Sequence, residues 1–164
     1  TVPMESLNNL IDWRPNNLPS EKKTGIVHGD YSLTNVMIGK NDPNVIAILD
    51  WELSTLGDPC ADFNYHCLQY TMNPKLADRE FCKNQGIPII EDYVKMYSER
   101  INIDLTEEWD LYSAYNLFKL AGILQGILGR VRDGTAAHEN AAERASGVRN
   151  LSDTAWGLVQ KNFL

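Results

Sequence analysis

Cysteine is scarce in this chain of 164 residues, which has three. Cys60, Cys67 and Cys82 form an odd set with no framework of spacings. That excludes a disulfide scaffold and points to a reducing, intracellular compartment, cytoplasmic by default. Cys60, His66, Cys67 and Cys82 can also be read as a zinc set, but they fit no knuckle spacing and two are adjacent. Ordinary half-buried thiols are the expectation. The chain also lacks a basic run: 15 basic side chains stand against 22 acidic ones, a formal charge of −7. Duplex binders carry a basic face, so no nucleic-acid partner is expected. No long apolar run is present either. The best candidate, Leu120 to Gly129, is closed off by Lys119 and Arg130 and falls short of the roughly 20 residues of a membrane span, so no membrane partner is expected. Internal repeats and low-complexity tracts are absent. The opening Thr1-Val2-Pro3 carries no basic-then-apolar signal, and the closing Asn162-Phe163-Leu164 is not a peroxisomal address.

What is there is enough for one domain with a core: 43% of residues are hydrophobic. Met4 to Trp13 reads as a short helix, stopped by Pro15 and Pro19. From Gly25 to Asp50 the character is β. Ile26-Val27 and Val36-Met37-Ile38 are short strands. Val45-Ile46-Ala47-Ile48-Leu49 is a third, and its unbroken apolar run predicts a strand covered on both sides. The turn formers from Gly39 to Asn44 join the last two as a hairpin. After residue 60 the pattern is helical. Helices are predicted over 61–70, 75–84 and from Pro88 to about Arg100. A long one starts at Thr106 as N-cap, with Glu107 and Glu108 at its positive end, and stops near Asp133-Gly134. Gly122, Gly126 and Gly129 lower its helix propensity, which predicts close packing there. A last helix is expected over about 139–162. The fold class is α+β: a small β-hairpin unit followed by a mainly helical bundle, with the chemistry on loops at strand ends.

The informative stretch is His28-Gly29-Asp30-Tyr31-Ser32-Leu33-Thr34-Asn35, followed by Asp50-Trp51-Glu52. Phosphoryl transfer asks little of a protein: a carboxylate beside the attacking hydroxyl and oxygen ligands for magnesium across the phosphates. Kinase catalytic loops set an Asp five residues ahead of an Asn, with a second Asp further on. Asp30 and Asn35 have that spacing, and the hairpin returns the chain so that Asp50 lies beside Asn35. Each residue has a plainer reading. Asp30 and Asn35 can serve a turn, and Glu52 can pair or lie exposed instead of touching a second magnesium or a water. An unpaired Asp50 at the end of a buried strand would be expensive, which favours a metal partner. Trp51 and Trp109 read as core. Arg130 and Arg132 read as a solvated helix end, with an anionic acceptor as the other reading. His66 and His138 carry no signal.

These residues resemble the aminoglycoside phosphotransferase and choline kinase superfamily, whose loop reads His-Gly-Asp with an Asn five on and whose metal segment reads Asp-Trp-Glu followed by Gly-Asp-Pro. Here that tail is Gly57-Asp58-Pro59-Cys60-Ala61-Asp62. Residues 24–65 carry the resemblance. It implies the C-terminal lobe of a kinase-like phosphotransferase, with Asp30 as catalytic base, Asn35 and Asp50 holding Mg2+ and ATP, His28 bracing the loop, and Asp58 and Asp62 as structural acids. The run from Leu49 to Pro59, with Gln125 to Arg130 and Asp133 to Ala137, is most similar to the branch fused to acyl-CoA dehydrogenases, which implies a hydroxyacyl-CoA as the small-molecule hydroxyl acceptor. The family's N-terminal lobe, with its phosphate-covering loop and Lys–Glu pair, has no room ahead of Thr24. The chain is therefore expected to be a piece of a longer protein and to hold ATP poorly alone. A binding module without turnover and an inactive fragment are the other readings. In the last, exposed inter-lobe surface would drive self-association.

Overall fold

The structure, a computed structural model, describes residues 4–20, 23–135, 143 and 145–164. The chain divides into two compact units, Thr1–Pro19 with Asp110–Leu164, and Ser20–Trp109.

The first unit is helical. Helix α1, Glu5–Trp13, buries Leu7 and Leu10, which stand three apart on one face. Its partner, the last helix of the chain, spans Val148–Asn162 and buries Leu151, Ala155 and Val159 at spacings of four. The long helix Trp109–Arg132 buries Tyr112, Leu117 and Ala121. Two sequence expectations need correction. The long helix starts at Trp109 rather than Thr106; the Thr106 amide instead donates to Asp104 Oδ1 at 2.8 Å in the turn before the helix. Nor are its glycines at a close contact: a Cβ at Gly122 or Gly129 would meet nothing within 4 Å, and one at Gly126 only the Arg130 guanidinium at 3.9 Å. Arg130 and Arg132 are exposed, the latter paired with Asp133. The beginning expected for the last helix (139–142), Ala136, Ala137 and His138 lie outside the described residues.

The second unit holds the strands. β1, Gly25–Val27, pairs antiparallel with β4, Thr55–Gly57, and β2, Val36–Ile38, with β3, Val45–Ile48, with a register shift between Met37 and Ile38. The hairpin is as expected; β4 is an addition, three residues being too short for a periodic signal. The expected cover of β3 on both sides is overturned: Val45 is 56% exposed and Ile46 65%. Among the described residues its sheet has two strands, which leaves these side chains open to solvent.

Helices follow. α2, Pro59–Cys67, has Asp58 as N-cap, its Oδ1 accepting from the Cys60 amide at 2.9 Å. A short turn, α3, covers Gln69–Met72. The helix expected over 75–84 is two, α4 at Pro74–Ala77 and α5 at Arg79–Gln85, because Asp78 turns its carboxylate onto the amides of Glu80 and Phe81 and starts a new helix. α6 spans Ile90–Ile101. The core of this unit stacks Phe63 on Tyr97, ring centroids 3.8 Å apart, with Tyr93 edge-on at 5.2 Å. Cys60, Cys67 and Cys82 are buried and not joined in a disulfide, and no metal-holding cluster of His, Cys, Asp and Glu occurs among the described residues. No described helix is long and apolar enough to cross a membrane.

Candidate active site

The loop from His28 to Asn35 leaves β1 of one two-stranded sheet and enters β2 of the other. It is held from beneath by one carboxylate. Asp62, one turn into α2, accepts the backbone amides of His28 and, at 3.0 Å, of Gly29. Gly29 has φ +87°, and a Cβ there would sit 2.5 Å from the Leu53 carbonyl oxygen. Only glycine allows both that conformation and that approach. This is why the motif carries Gly between its His and its Asp.

His28 is 3% exposed, and both ring nitrogens are engaged. The Asp30 amide donates to Nδ1 at 3.2 Å, so Nε2 carries the proton and donates to the Leu49 carbonyl at 2.7 Å. The ring is thus a neutral crosspiece between the loop and the strand end that bears Asp50. With both nitrogens used, it has no lone pair for a substrate. Trp51, expected in the core, lies 45% exposed with its ring centroid 4.8 Å from that of His28 and its indole N–H donating to the Ile48 carbonyl at 2.8 Å. Trp109 is half-buried against Phe63.

Asn35 joins the pieces. Its side-chain nitrogen donates to the Asp30 carbonyl at 2.9 Å and to Asp30 Oδ2 at 3.3 Å. Both partners are acceptors, so the NH2 faces them, and the amide oxygen is the atom left for a cation. The Asn35 carbonyl accepts the Leu49 amide at 2.8 Å, which fixes Asp50 one residue away. Asp50 itself adopts the left-handed region, φ 66° and ψ 53°, and begins the single turn Trp51–Leu53 without a side-chain capping bond. Its carboxylate is therefore not consumed as those of Asp58 and Asp78 are. Contrary to the expectation of a buried strand end, Asp50 is exposed, for the same reason that β3 is uncovered. The Asn35 amide oxygen and the Asp50 carboxylate are hard oxygen donors, the kind magnesium takes, so the residues present fit that ion. Glu52 is exposed.

Sequence reading missed Tyr65. Its hydroxyl hydrogen-bonds the Asp30 carboxylate, and burial together with that negative charge pushes the phenol up to about 12. The available signal was spacing: Asp62 and Tyr65 stand three apart and share the face of α2 turned to the loop. His66 follows, half-buried, with Tyr31 at 5.6 Å between centroids and the Tyr93 hydroxyl 3.3 Å from Nε2; burial lowers its pKa.

Comparison with known proteins agrees with this geometry. The phosphotransferase enzyme family matches residues 3–115. A crystal structure of a candidate aminoglycoside phosphotransferase from Ralstonia eutropha JMP134 is 38% identical and superposes with a TM-score of 0.90 over 100% of this chain and 51% of that one. With that likeness, the mostly helical fold with its small antiparallel pairs is that of a kinase-like C-terminal lobe. Acyl-CoA dehydrogenase family member 10 of Mus musculus is 35% identical over 98% of this chain and 16% of its own length. Family member 11 of Rattus norvegicus is 34% identical over 96% of this chain and 21% of its own. The chain thus spans a fifth or so of the curated relatives it matches.

Proposed function

Because the chain belongs to the phosphotransferase enzyme family, we propose that it is the catalytic half of an enzyme that moves the γ-phosphate of ATP to a hydroxyl of a small molecule. One observation carries the reading: a single residue, Asn35, hydrogen-bonds Asp30 through its side chain and ties down the neighbour of Asp50 through its carbonyl. Three acids and amides 20 residues apart in sequence (30, 35, 50) are thereby held in one register.

In this reading the Asp30 carboxylate orients the acceptor hydroxyl and takes its proton as the oxygen attacks phosphorus. Asn35 and Asp50 supply oxygens to magnesium, which when bound offsets charge on the phosphates. His28, Gly29 and Asp62 keep the loop rigid, and rigidity matters because phosphoryl transfer relies on position. The curated relatives lend support to one acceptor class. They are acyl-CoA dehydrogenase family members, which supports a hydroxylated acyl-CoA. The grip on ATP would come from the rest of a longer polypeptide, as this chain aligns with half of its solved relative.

The test is ATP-dependent transfer by the full-length polypeptide, with and without Mg2+, on hydroxyacyl-CoAs, choline-like alcohols and aminoglycosides. Magnesium-dependent transfer to the hydroxyacyl-CoAs is expected. Transfer to another class would correct the acceptor, and ATP binding with no transfer to any would replace the enzyme by a binding module.

A further inference from the structure

α2 reaches the catalytic loop with two side chains on one face, Asp62 and Tyr65. Asp58 caps the helix itself, Asp62 holds the backbone of His28 and Gly29, and Tyr65 reaches the Asp30 side chain. The Asp30 carboxylate is therefore met by the Asn35 amide at 3.3 Å as well as by the Tyr65 hydroxyl. Two donors from different elements leave a carboxylate little rotational freedom, and the lone pairs that remain have fixed directions. Tyr65 is half-buried, so the phenol keeps its proton and the bond to Asp30 is not shared freely with water. Its ring is anchored on the helix that also carries Phe63 of the aromatic core.

We propose that Tyr65 is a positioning residue for phosphoryl transfer, setting the rotamer of the Asp30 carboxylate so that a lone pair left unused faces the acceptor hydroxyl. The inference rests on the phosphotransferase reading above. Tyr65 does not touch the acceptor. Its contribution is to kcat, because the carboxylate must be aligned in the transition state while ATP is gripped elsewhere.

Two measurements on the full-length polypeptide test it. In the first, 3-fluorotyrosine is placed at position 65 and its ionisation followed by 19F NMR, with and without Asp30→Asn. The phenol is expected to ionise at distinctly lower pH once the carboxylate is gone; an unchanged titration would overturn the contact. In the second, Tyr65→Phe is assayed with Mg-ATP and whichever acceptor of the panel the wild type phosphorylates. kcat is expected to fall about 10-fold, the worth of one hydrogen bond to a charged group, with KM for ATP within about twofold. Wild-type transfer with an unchanged kcat in Tyr65→Phe would overturn this inference alone. No transfer by the wild type to any acceptor, with the fluorotyrosine shift intact, would overturn the phosphotransferase reading and with it the catalytic role of Tyr65, leaving the contact as a structural one.

Discussion

Asp50 holds a backbone conformation that L-residues adopt at a cost, with Asp and Asn the least penalised. No capping bond of its own side chain compensates for that. The conformation is compatible with glycine, so the residue separates stability from function. Asp50→Gly is expected to be more stable than Asp50→Ala by about 1 kcal/mol in chemical denaturation, since alanine inherits the strain and glycine does not. Both variants are expected to lose magnesium-dependent transfer. Equal stability of the two would mean that the left-handed conformation is not maintained. At this scale the sequence was most legible where chemistry fixes a short spacing. Asp30, Asn35 and the Gly between His28 and Asp30 announce themselves within eight residues. Tyr65 does not, because its partner lies 35 positions away and the contact exists only once α2 packs against the loop.

Among the elements, the hairpin and the helices α1 and α6 follow from apolar patterning and turn residues, and were legible. The boundaries that moved did so for local reasons. Asp78 is a better cap than a helix-interior residue, so it divides the helix expected over 75–84. An apolar run cannot state how many layers will cover it, which is why β3 reads as buried and is exposed. The glycines of the long helix are the sharpest case. In sequence they suggest a packed neighbour; in the structure the space beyond Gly122 and Gly129 is open. Gly122→Ala and Gly129→Ala are each expected to stabilise the chain by about 0.5–1 kcal/mol, through helix propensity alone. A loss of stability in thermal melts would show that a neighbour does occupy that face in the full-length polypeptide or in solution.

For the molecule as a whole, pH dependence follows from groups outside the loop. Burial lowers the pKa of His66, so below the ordinary histidine value the unfolded chain takes a proton that the folded one resists. Stability present above about pH 6.5 is therefore lost as pH falls. His66→Gln is expected to flatten the acid side of a melting-temperature profile between about pH 7 and 5; an unchanged slope would assign the acid loss to other groups. At the alkaline end Tyr65, Tyr70 and Tyr97, each pushed up to about 12, resist ionising in the folded state. Stability is expected to fall as pH rises above about 10, where the unfolded phenols ionise. Ile26 at 70% exposure, Leu33 at 69% and Leu56 at 74%, with Val45 and Ile46, put a group of exposed apolar side chains on the β unit. The 1–164 chain alone is accordingly expected to self-associate, with a sedimentation coefficient that rises with concentration and falls back in Ile46→Lys; a strictly monomeric chain would contradict this.

The central claim is that Asp30 does the chemistry while the residues around it hold position. The most direct measurement is single-turnover transfer from Mg-ATP by the full-length polypeptide, wild type against Asp30→Asn, with ATP affinity measured on both. A rate lower by about a thousandfold at an ATP affinity within about twofold is the predicted result. Transfer by Asp30→Asn at the wild-type rate would contradict the account.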